Sequence, residues 1–190
     1  MPFNLPILLT WCRILLIPLL VGVYYLPTTW LSPIEKNQIA TGIFIVAALT
    51  DWFDGYLARK LEQTSAFGAF LDPVADKLMV AIALILLVEL DRTSALVASV
   101  IIGREIAISA LREWMAQIGK SASVAVSMVG KVKTVAQMVA IPMLLFEASF
   151  LGIDMLEVGR WLIYLAALLT LWSMGYYIER AWSQLKGLNL

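Results

Sequence analysis

Long runs of apolar residues recur along the whole chain, separated by short stretches that hold proline, glycine and charged residues. Runs of about 20 apolar residues are typical of transmembrane helices. The pattern therefore predicts an all-α, polytopic integral membrane protein that forms one domain over residues 1–190. Six transmembrane helices are expected, over residues 7–26, 38–59, 68–89, 93–117, 124–150 and 155–178.

The composition supports a membrane protein and limits its chemistry. Of the 190 residues, 61% are hydrophobic and 15% are charged, whereas a soluble domain is about half apolar and about a quarter charged. The net charge of zero provides no overall attraction to nucleic acid. Histidine is absent, so any acid–base chemistry must use Asp, Glu, Lys or Tyr. The single cysteine, Cys12, cannot form an internal disulfide.

The distribution of Lys and Arg predicts the orientation. With six spans, Lys36, Arg92 and Arg160 lie on one side, and the other eleven of the 14 basic residues lie on or near the opposite side. Cytoplasmic segments carry the excess of basic residues in membrane proteins. We therefore expect a multi-pass protein of the inner membrane whose N-terminus faces the cytoplasm.

Four aspartates stand at the cytoplasmic ends of the second and third predicted spans. Asp51 and Asp54 are three residues apart, and Asp72 and Asp76 are four apart, so each pair lies on one helical face. The short connection over residues 60–67 is expected to make these helices antiparallel neighbours. All four carboxylates can then converge near the cytoplasmic interface.

Four close carboxylates need a common explanation, because each one placed without compensation inside a membrane costs about 3 kcal/mol. Bound cations would remove their mutual repulsion. Oxygen ligands suit Mg²⁺ or Mn²⁺, and four carboxylates are enough for two ions about 4 Å apart. In one alternative, the acids simply pair with Arg59, Lys60 and Lys77. In another, they serve a divalent-cation transporter, but such a pathway needs acids spread across the membrane.

The same aspartates form part of a longer motif. Asp-x-x-Asp-Gly-x-x-Ala-Arg, eight further residues and Gly-x-x-x-Asp-x-x-x-Asp occupy residues 51–76. This pattern resembles the full signature of the CDP-alcohol phosphotransferases. The resemblance implies six transmembrane helices, two divalent ions and displacement of CMP from a CDP-linked lipid by an alcohol. It also implies that Asp51, Asp54, Asp72 and Asp76 bind the metals and that Asp76 accepts the alcohol proton.

The resemblance further implies how the CDP-linked lipid binds. Gly55 and Gly68 would leave room for the cytidine, and Arg59 would contact the pyrophosphate as a fork of donors. Thr10 and Arg13 belong to an N-terminal stretch that is implied to contact CDP-diacylglycerol. Arg13 would hold a lipid phosphate there or, alternatively, extend to the membrane interface.

Three stretches outside the signature, over residues 4–13, 104–113 and 130–137, resemble the phosphatidylglycerophosphate synthase branch of this family. This implies glycerol 3-phosphate as the acceptor and membrane lipid as the surroundings. Inositol phosphate, serine and phosphatidylglycerol are the alternative acceptors within the family. The resemblance also suggests a homodimer, although the sequence identifies no interface.

Glycerol 3-phosphate is a small dianion, so its site should contain cations. Arg112, Lys131 and Lys133 flank the connection between the fourth and fifth spans, on the same side as the aspartates. Positive-inside topology alone would also explain each of them. Arg104 is harder to explain in that way because it lies inside an apolar span, where the neighbouring Glu105 is an alternative partner.

Overall fold

The computed structural model describes residues 5–60, 66–118 and 128–185, which form six α-helices and a two-stranded hairpin. The helices are α1 (Leu5–Tyr25), α2 (Pro33–Lys60), α3 (Ala66–Glu89), α4 (Ala95–Gln117), α5 (Met128–Phe146) and α6 (Met155–Leu185), and the strands are β1 (Ser149–Phe150) and β2 (Ile153–Asp154). Each of the six predicted spans thus contains a helix, and residues 124–127 of the fifth lie outside the described part.

The second helix begins five residues earlier than predicted, because its N-terminus is capped. The amide nitrogen and the hydroxyl of Ser32 donate hydrogen bonds to Glu35 Oε2 at 2.7 and 2.8 Å, and the Glu35 amide donates to Ser32 Oγ at 3.3 Å. This reciprocal arrangement is a capping box. The hydrogen bond from the Ser32 amide holds the pKa of Glu35 below its usual range.

The fifth helix ends at Phe146, so the prediction of a span that continues to residue 150 was wrong. The chain instead forms an antiparallel hairpin with Leu151 and Gly152 in its turn, at φ values of 52° and 81°. Two successive positive φ values produce the turn that matches the twist of a tight hairpin. Asp154 then accepts hydrogen bonds from the amides of Leu156 and Glu157 and so caps α6.

The first helix is the main neighbour of both helices that carry the aspartates. Within the described residues, α1 packs extensively against α2 and α3, whereas α2 and α3 touch each other only slightly. The two helices are in contact, as expected of neighbours, but among the described residues α1 is the larger partner of each. The most extensive packing joins α5 and α6, where a Cβ atom at Gly159 would lie only 3.0 Å from Leu144 Cγ.

One cluster of buried apolar side chains receives residues from all six helices. Completely buried members, one from each helix, are Leu20, Ala40, Leu84, Ile101, Ile141 and Ile163. By length and hydropathy, the described stretches Ile7–Tyr25 and Met155–Glu179 can cross a membrane, and Val132–Phe146 is a shorter apolar helical stretch. The six crossings therefore remain a prediction.

Three cations at the end of the bundle opposite the aspartates, called here the Arg92 end, bind backbone carbonyls near the C-termini of α1, α3 and α5. They are Lys36, on Tyr24 O and Leu26 O at 3.1 and 2.5 Å; Arg92, on Leu144 O and Leu145 O at 3.1 and 2.7 Å; and Arg160, on Asp91 O and Arg92 O, both at 3.2 Å. A helix C-terminus carries partial negative charge and unpaired carbonyls, so cations stabilise it.

Arg92 also connects side chains from three further positions. Its Nη2 donates to Asn37 Oδ1 at 2.8 Å and to Glu147 Oε2 at 2.6 Å. Asn37 in turn donates to Glu147 and accepts from the Tyr24 hydroxyl. The buried guanidinium thereby joins α1, α2 and the end of α5 to the turn between α3 and α4.

Replacement of Arg92 by Met should destabilise the fold, because it leaves two carbonyls, Asn37 and Glu147 without their donor. We expect the free energy of unfolding to fall by about 1.5–3 kcal/mol, measured by thermal or denaturant unfolding in detergent. Arg160→Met, which removes an exposed cation from the same end, is the control and should have a smaller effect. An unchanged unfolding midpoint for Arg92→Met would show that the network does not stabilise the fold.

Candidate active site

The aspartates lie at the end of the bundle formed by the start of α1, the end of α2 and the start of α3, called here the aspartate end. Arg13 of α1 bridges two of them, with Nη1 at 3.0 Å from Asp51 Oδ1 and 2.6 Å from Asp76 Oδ1. The Arg13 side chain is 1% exposed, whereas those of Asp51 and Asp76 are 37% and 34% exposed. The guanidinium therefore lies beneath two carboxylates that remain accessible.

Thr10 holds a third aspartate. It lies three residues before Arg13 on the same face of α1, and its hydroxyl donates to Asp72 Oδ1 at 2.6 Å. Both α1 side chains are completely buried, so the alternative that Arg13 extends to the membrane interface was wrong. Gly68, one turn before Asp72, is also buried.

The carboxylates provide a suitable donor set for a hard divalent cation. Asp51 and Asp76 already share one positively charged nitrogen, so their oxygens are close enough for a single cation to bridge, and the donors are all oxygen. Among the described side chains, no three of Asp, Glu, His or Cys lie together as a metal site. The contacts of four predicted site residues lie outside the described part: Asp54, Gly55, Arg59 and Lys131.

A second polar cluster joins α4, α5 and α6. Lys133 Nζ contacts Glu105 Oε1, and Arg104 Nη1 lies 3.2 Å from the same oxygen. Arg104 Nη2 also donates to the hydroxyl of Ser173 at 2.9 Å. The side chains of Lys133 and Arg104 are only 3% and 7% exposed, so this ion-pair cluster is buried, and the pairing of Arg104 with Glu105 is confirmed.

Tyr177 of α6 links Arg112, another of the cations predicted for the acceptor site, to this cluster. The guanidinium carbons of Arg104 and Arg112 lie 5.4 and 5.2 Å from the centre of its ring, within the range of cation–π attraction. Arg112 also donates to the Tyr177 hydroxyl at 3.3 Å. Arg112 is exposed, so the buried tyrosine places one accessible guanidinium beside the buried cations.

A cavity of about 190 Å³ is lined by one carboxylate from each cluster. Asp76 and Glu105 both line it. Its remaining lining residues are Pro73, Lys77, Val80, Thr134, Gln137 and Met138. A water molecule occupies about 30 Å³ in the liquid, so the cavity has room for a small polar molecule. Such a molecule could contact both Asp76 of the signature and Glu105 of the ion-pair cluster.

The sequence interpretation identified no functional residue in α6, yet this helix provides Ser173 and Tyr177. A signal was present in the pattern. Thr170, Ser173 and Tyr177 follow helical spacing in an otherwise apolar segment, and all three are buried. Polar side chains on one face of an apolar helix usually point toward other polar groups, so this face could have been placed against the cations.

Comparison with known proteins is consistent with this arrangement. Residues 3–172 match the CDP-alcohol phosphatidyltransferase family. Proteins from Escherichia coli (strain K12), Shigella boydii serotype 4 (strain Sb227) and Shigella flexneri serotype 5b (strain 8401) are each 55% identical to the chain over 183 residues. These alignments cover 95% of this chain and 96% of each relative. Each relative is named CDP-diacylglycerol–glycerol-3-phosphate 3-phosphatidyltransferase.

Proposed function

The chain belongs to the CDP-alcohol phosphatidyltransferase family, and on this basis we propose that it transfers the phosphatidyl group of CDP-diacylglycerol to sn-glycerol 3-phosphate. The products are phosphatidylglycerophosphate and CMP. The 55% identity to transferases named for this reaction, over nearly the whole of both chains, carries the proposal. The cavity lined by Asp76 and Glu105 supports it, because an acceptor that is both an alcohol and a phosphate needs a base and cations, and Glu105 contacts the buried cations Lys133 and Arg104.

The aspartate cluster is the proposed metal and phosphoryl site. The family is generally dependent on divalent cations. Asp51, Asp54, Asp72 and Asp76 would hold two Mg²⁺ or Mn²⁺ ions. Bound there, these would neutralise the phosphoryl oxygens and make the phosphorus more electrophilic. Arg13 supports this role because it pulls Asp51 and Asp76 toward one point while leaving about a third of each carboxylate exposed.

Asp76 is the proposed general base. It lines the cavity next to its contact with Arg13, and the chain contains no histidine that could take this role. The acceptor hydroxyl oxygen would form a bond to the phosphorus that carries diacylglycerol. The bond from that phosphorus to CMP would break, and the hydroxyl proton would pass to Asp76.

The CDP-diacylglycerol head group is proposed to bind over the aspartate cluster. Gly55 and Gly68 would leave room for the cytidine, and Arg59 would contact the pyrophosphate. Thr10 and Arg13 would complete this site from α1, since both already contact the signature aspartates.

The cation cluster is the proposed site for the acceptor phosphate. Lys133 and Arg104 are buried and both contact Glu105, which lines the cavity. Arg112 lies over the ring of Tyr177, which also contacts Arg104. Among the described residues, Arg104 Nε is a buried donor with no hydrogen-bond partner, so the cluster has spare donor capacity. Lys131 is proposed as a further phosphate contact.

The proposed topology has six transmembrane helices in one domain of the inner membrane, with the N-terminus and the aspartate end facing the cytoplasm. The three cations that depart from the positive-inside pattern support this orientation. Lys36, Arg92 and Arg160 all bind carbonyls near helix C-termini, so a structural requirement explains their position on the outer side. A homodimer is proposed from the family resemblance alone.

The proposed reaction can be tested by incubating the purified protein with CDP-diacylglycerol and a panel of alcohols while following CMP release. Glycerol 3-phosphate should support the fastest release. Removal of divalent ions by a chelator should abolish the activity, and added Mg²⁺ or Mn²⁺ should restore it, because the aspartates alone cannot neutralise the phosphoryl oxygens. Full activity in excess chelator would contradict the two-metal proposal.

Asp76→Asn separates proton transfer from binding. Asparagine keeps the size of the side chain but cannot accept the alcohol proton, so kcat should fall by about a hundredfold or more. The KM for CDP-diacylglycerol should change less. Metal affinity must be measured in parallel by calorimetry, because a loss there would produce the same fall in kcat. Near-normal turnover would exclude Asp76 as the base.

Removal of single cations tests the acceptor site. Arg104→Met, Arg112→Met, Lys131→Met and Lys133→Met each delete one charge-assisted contact worth about 1.5–3 kcal/mol. The KM for glycerol 3-phosphate should therefore rise roughly tenfold to a hundredfold, while that for CDP-diacylglycerol stays nearly constant. Arg160→Met, at the opposite end, is the matched control. Wild-type acceptor KM values in all four variants would place the phosphate elsewhere.

A further inference from the structure

Glu105 occupies the centre of the cation cluster, and the proposed reaction gives it no role. Its Oε1 atom contacts both Lys133 Nζ and Arg104 Nη1. The side chain is 25% exposed, several times more than either cation, and it lines the same cavity as Asp76. Along this side of the cavity, a carboxylate therefore stands where an entering anion would meet the buried donors.

The empty protein needs this carboxylate. A buried cation without a counter-charge is strongly destabilising, and both Lys133 and Arg104 are buried here. Glu105 provides one negative charge against the two positive charges of Lys133 and Arg104. The cluster thus retains a net positive charge and attracts a second anion, but that anion must compete with Glu105 for the same donors.

We infer that Glu105 is an internal counter-ion that holds the place of the acceptor phosphate between Lys133 and Arg104, and that the phosphate displaces it on binding. The inference rests on the proposed acceptor site. It makes Glu105 a positioning residue that keeps the buried cations in place while the site is empty. It also makes Glu105 a specificity residue, because a neutral alcohol cannot replace the carboxylate on two cations, whereas a phosphate dianion can.

The test is Glu105→Gln, which removes the charge and keeps the size of the side chain. Without the competing carboxylate, the KM for glycerol 3-phosphate should fall by about tenfold, the equivalent of one charge-assisted contact. The inhibition constant of inorganic phosphate against glycerol 3-phosphate should fall by a similar factor, and the KM for CDP-diacylglycerol should stay within about twofold. The empty variant should unfold at a lower temperature than the wild type, and inorganic phosphate should raise its Tm more.

Glu113→Gln is the matched control, since Glu113 is an exposed carboxylate two turns further along the same helix. It changes the net charge by the same amount and should leave both anion constants within about twofold. An equal effect in both variants would show that the loss of any negative charge on this helix is sufficient, and it would overturn the inference.

The opposite direction of change would also overturn it. If Glu105 only aligns the two cations, Glu105→Gln should raise both anion constants. Should that variant fail to fold, the substitution is repeated in the Lys133→Met background, which removes the cation left unpaired. The KM for glycerol 3-phosphate should still fall relative to Lys133→Met alone, because Arg104 remains, and an unchanged or higher value would refute the inference.

Lys133→Met separates this inference from the proposed function on which it rests. If it leaves the KM for glycerol 3-phosphate unchanged, the acceptor phosphate does not bind here, and the acceptor site itself is refuted. If it raises that KM while Glu105→Gln does not lower it, the acceptor site stands and only the counter-ion role is refuted.

Discussion

A charge buried in an apolar helix bundle must meet an opposite charge or a carbonyl dipole, because the alternative costs several kcal/mol. The five buried cations that the structure describes all satisfy this condition, and they are Arg13, Lys36, Arg92, Arg104 and Lys133. How each one satisfies it separates the two ends of the molecule. The packing of the helices and the chemistry of the site both follow from this constraint.

At the Arg92 end, the partners are mostly backbone carbonyls. Arg92 and Lys36 satisfy carbonyl groups that the C-termini of α5 and α1 leave unpaired. These groups are fixed in place by the helices, so the contacts stabilise the packing of the bundle. At the aspartate end, the partners are carboxylates, which can exchange one cation for another. Arg13 holds Asp51 and Asp76 together without covering them, and this combination suits a site that binds ions and phosphate.

The two carboxylates that line the cavity are held by different pairs of helices. Asp76 comes from α3 and is oriented by α1, whereas Glu105 comes from α4 and is held by Lys133 of α5. Ser173 and Tyr177 of α6 support the cations from behind. In the proposed reaction, Asp76 would accept the proton of the alcohol and the cations would hold its phosphate, so the proposed choice of glycerol 3-phosphate depends on their separation. That separation is a property of the whole bundle.

The sequence alone determined the helices, since the transfer of a segment from water to an apolar environment depends on the apolar character of contiguous residues. It also identified the aspartates and Arg104, because an ionisable side chain in an apolar run requires a reason. The hairpin at Ser149–Asp154 was missed because hydropathy does not report the positive φ values of Leu151 and Gly152. Only the tertiary structure decided that α1 is the main partner of α2 and α3, that Arg13 and Thr10 hold the aspartates, and that α6 supports Arg104. Three of these contacts join residues more than 60 positions apart along the chain, and their pairing depends on how the helices pack, which no local pattern encodes.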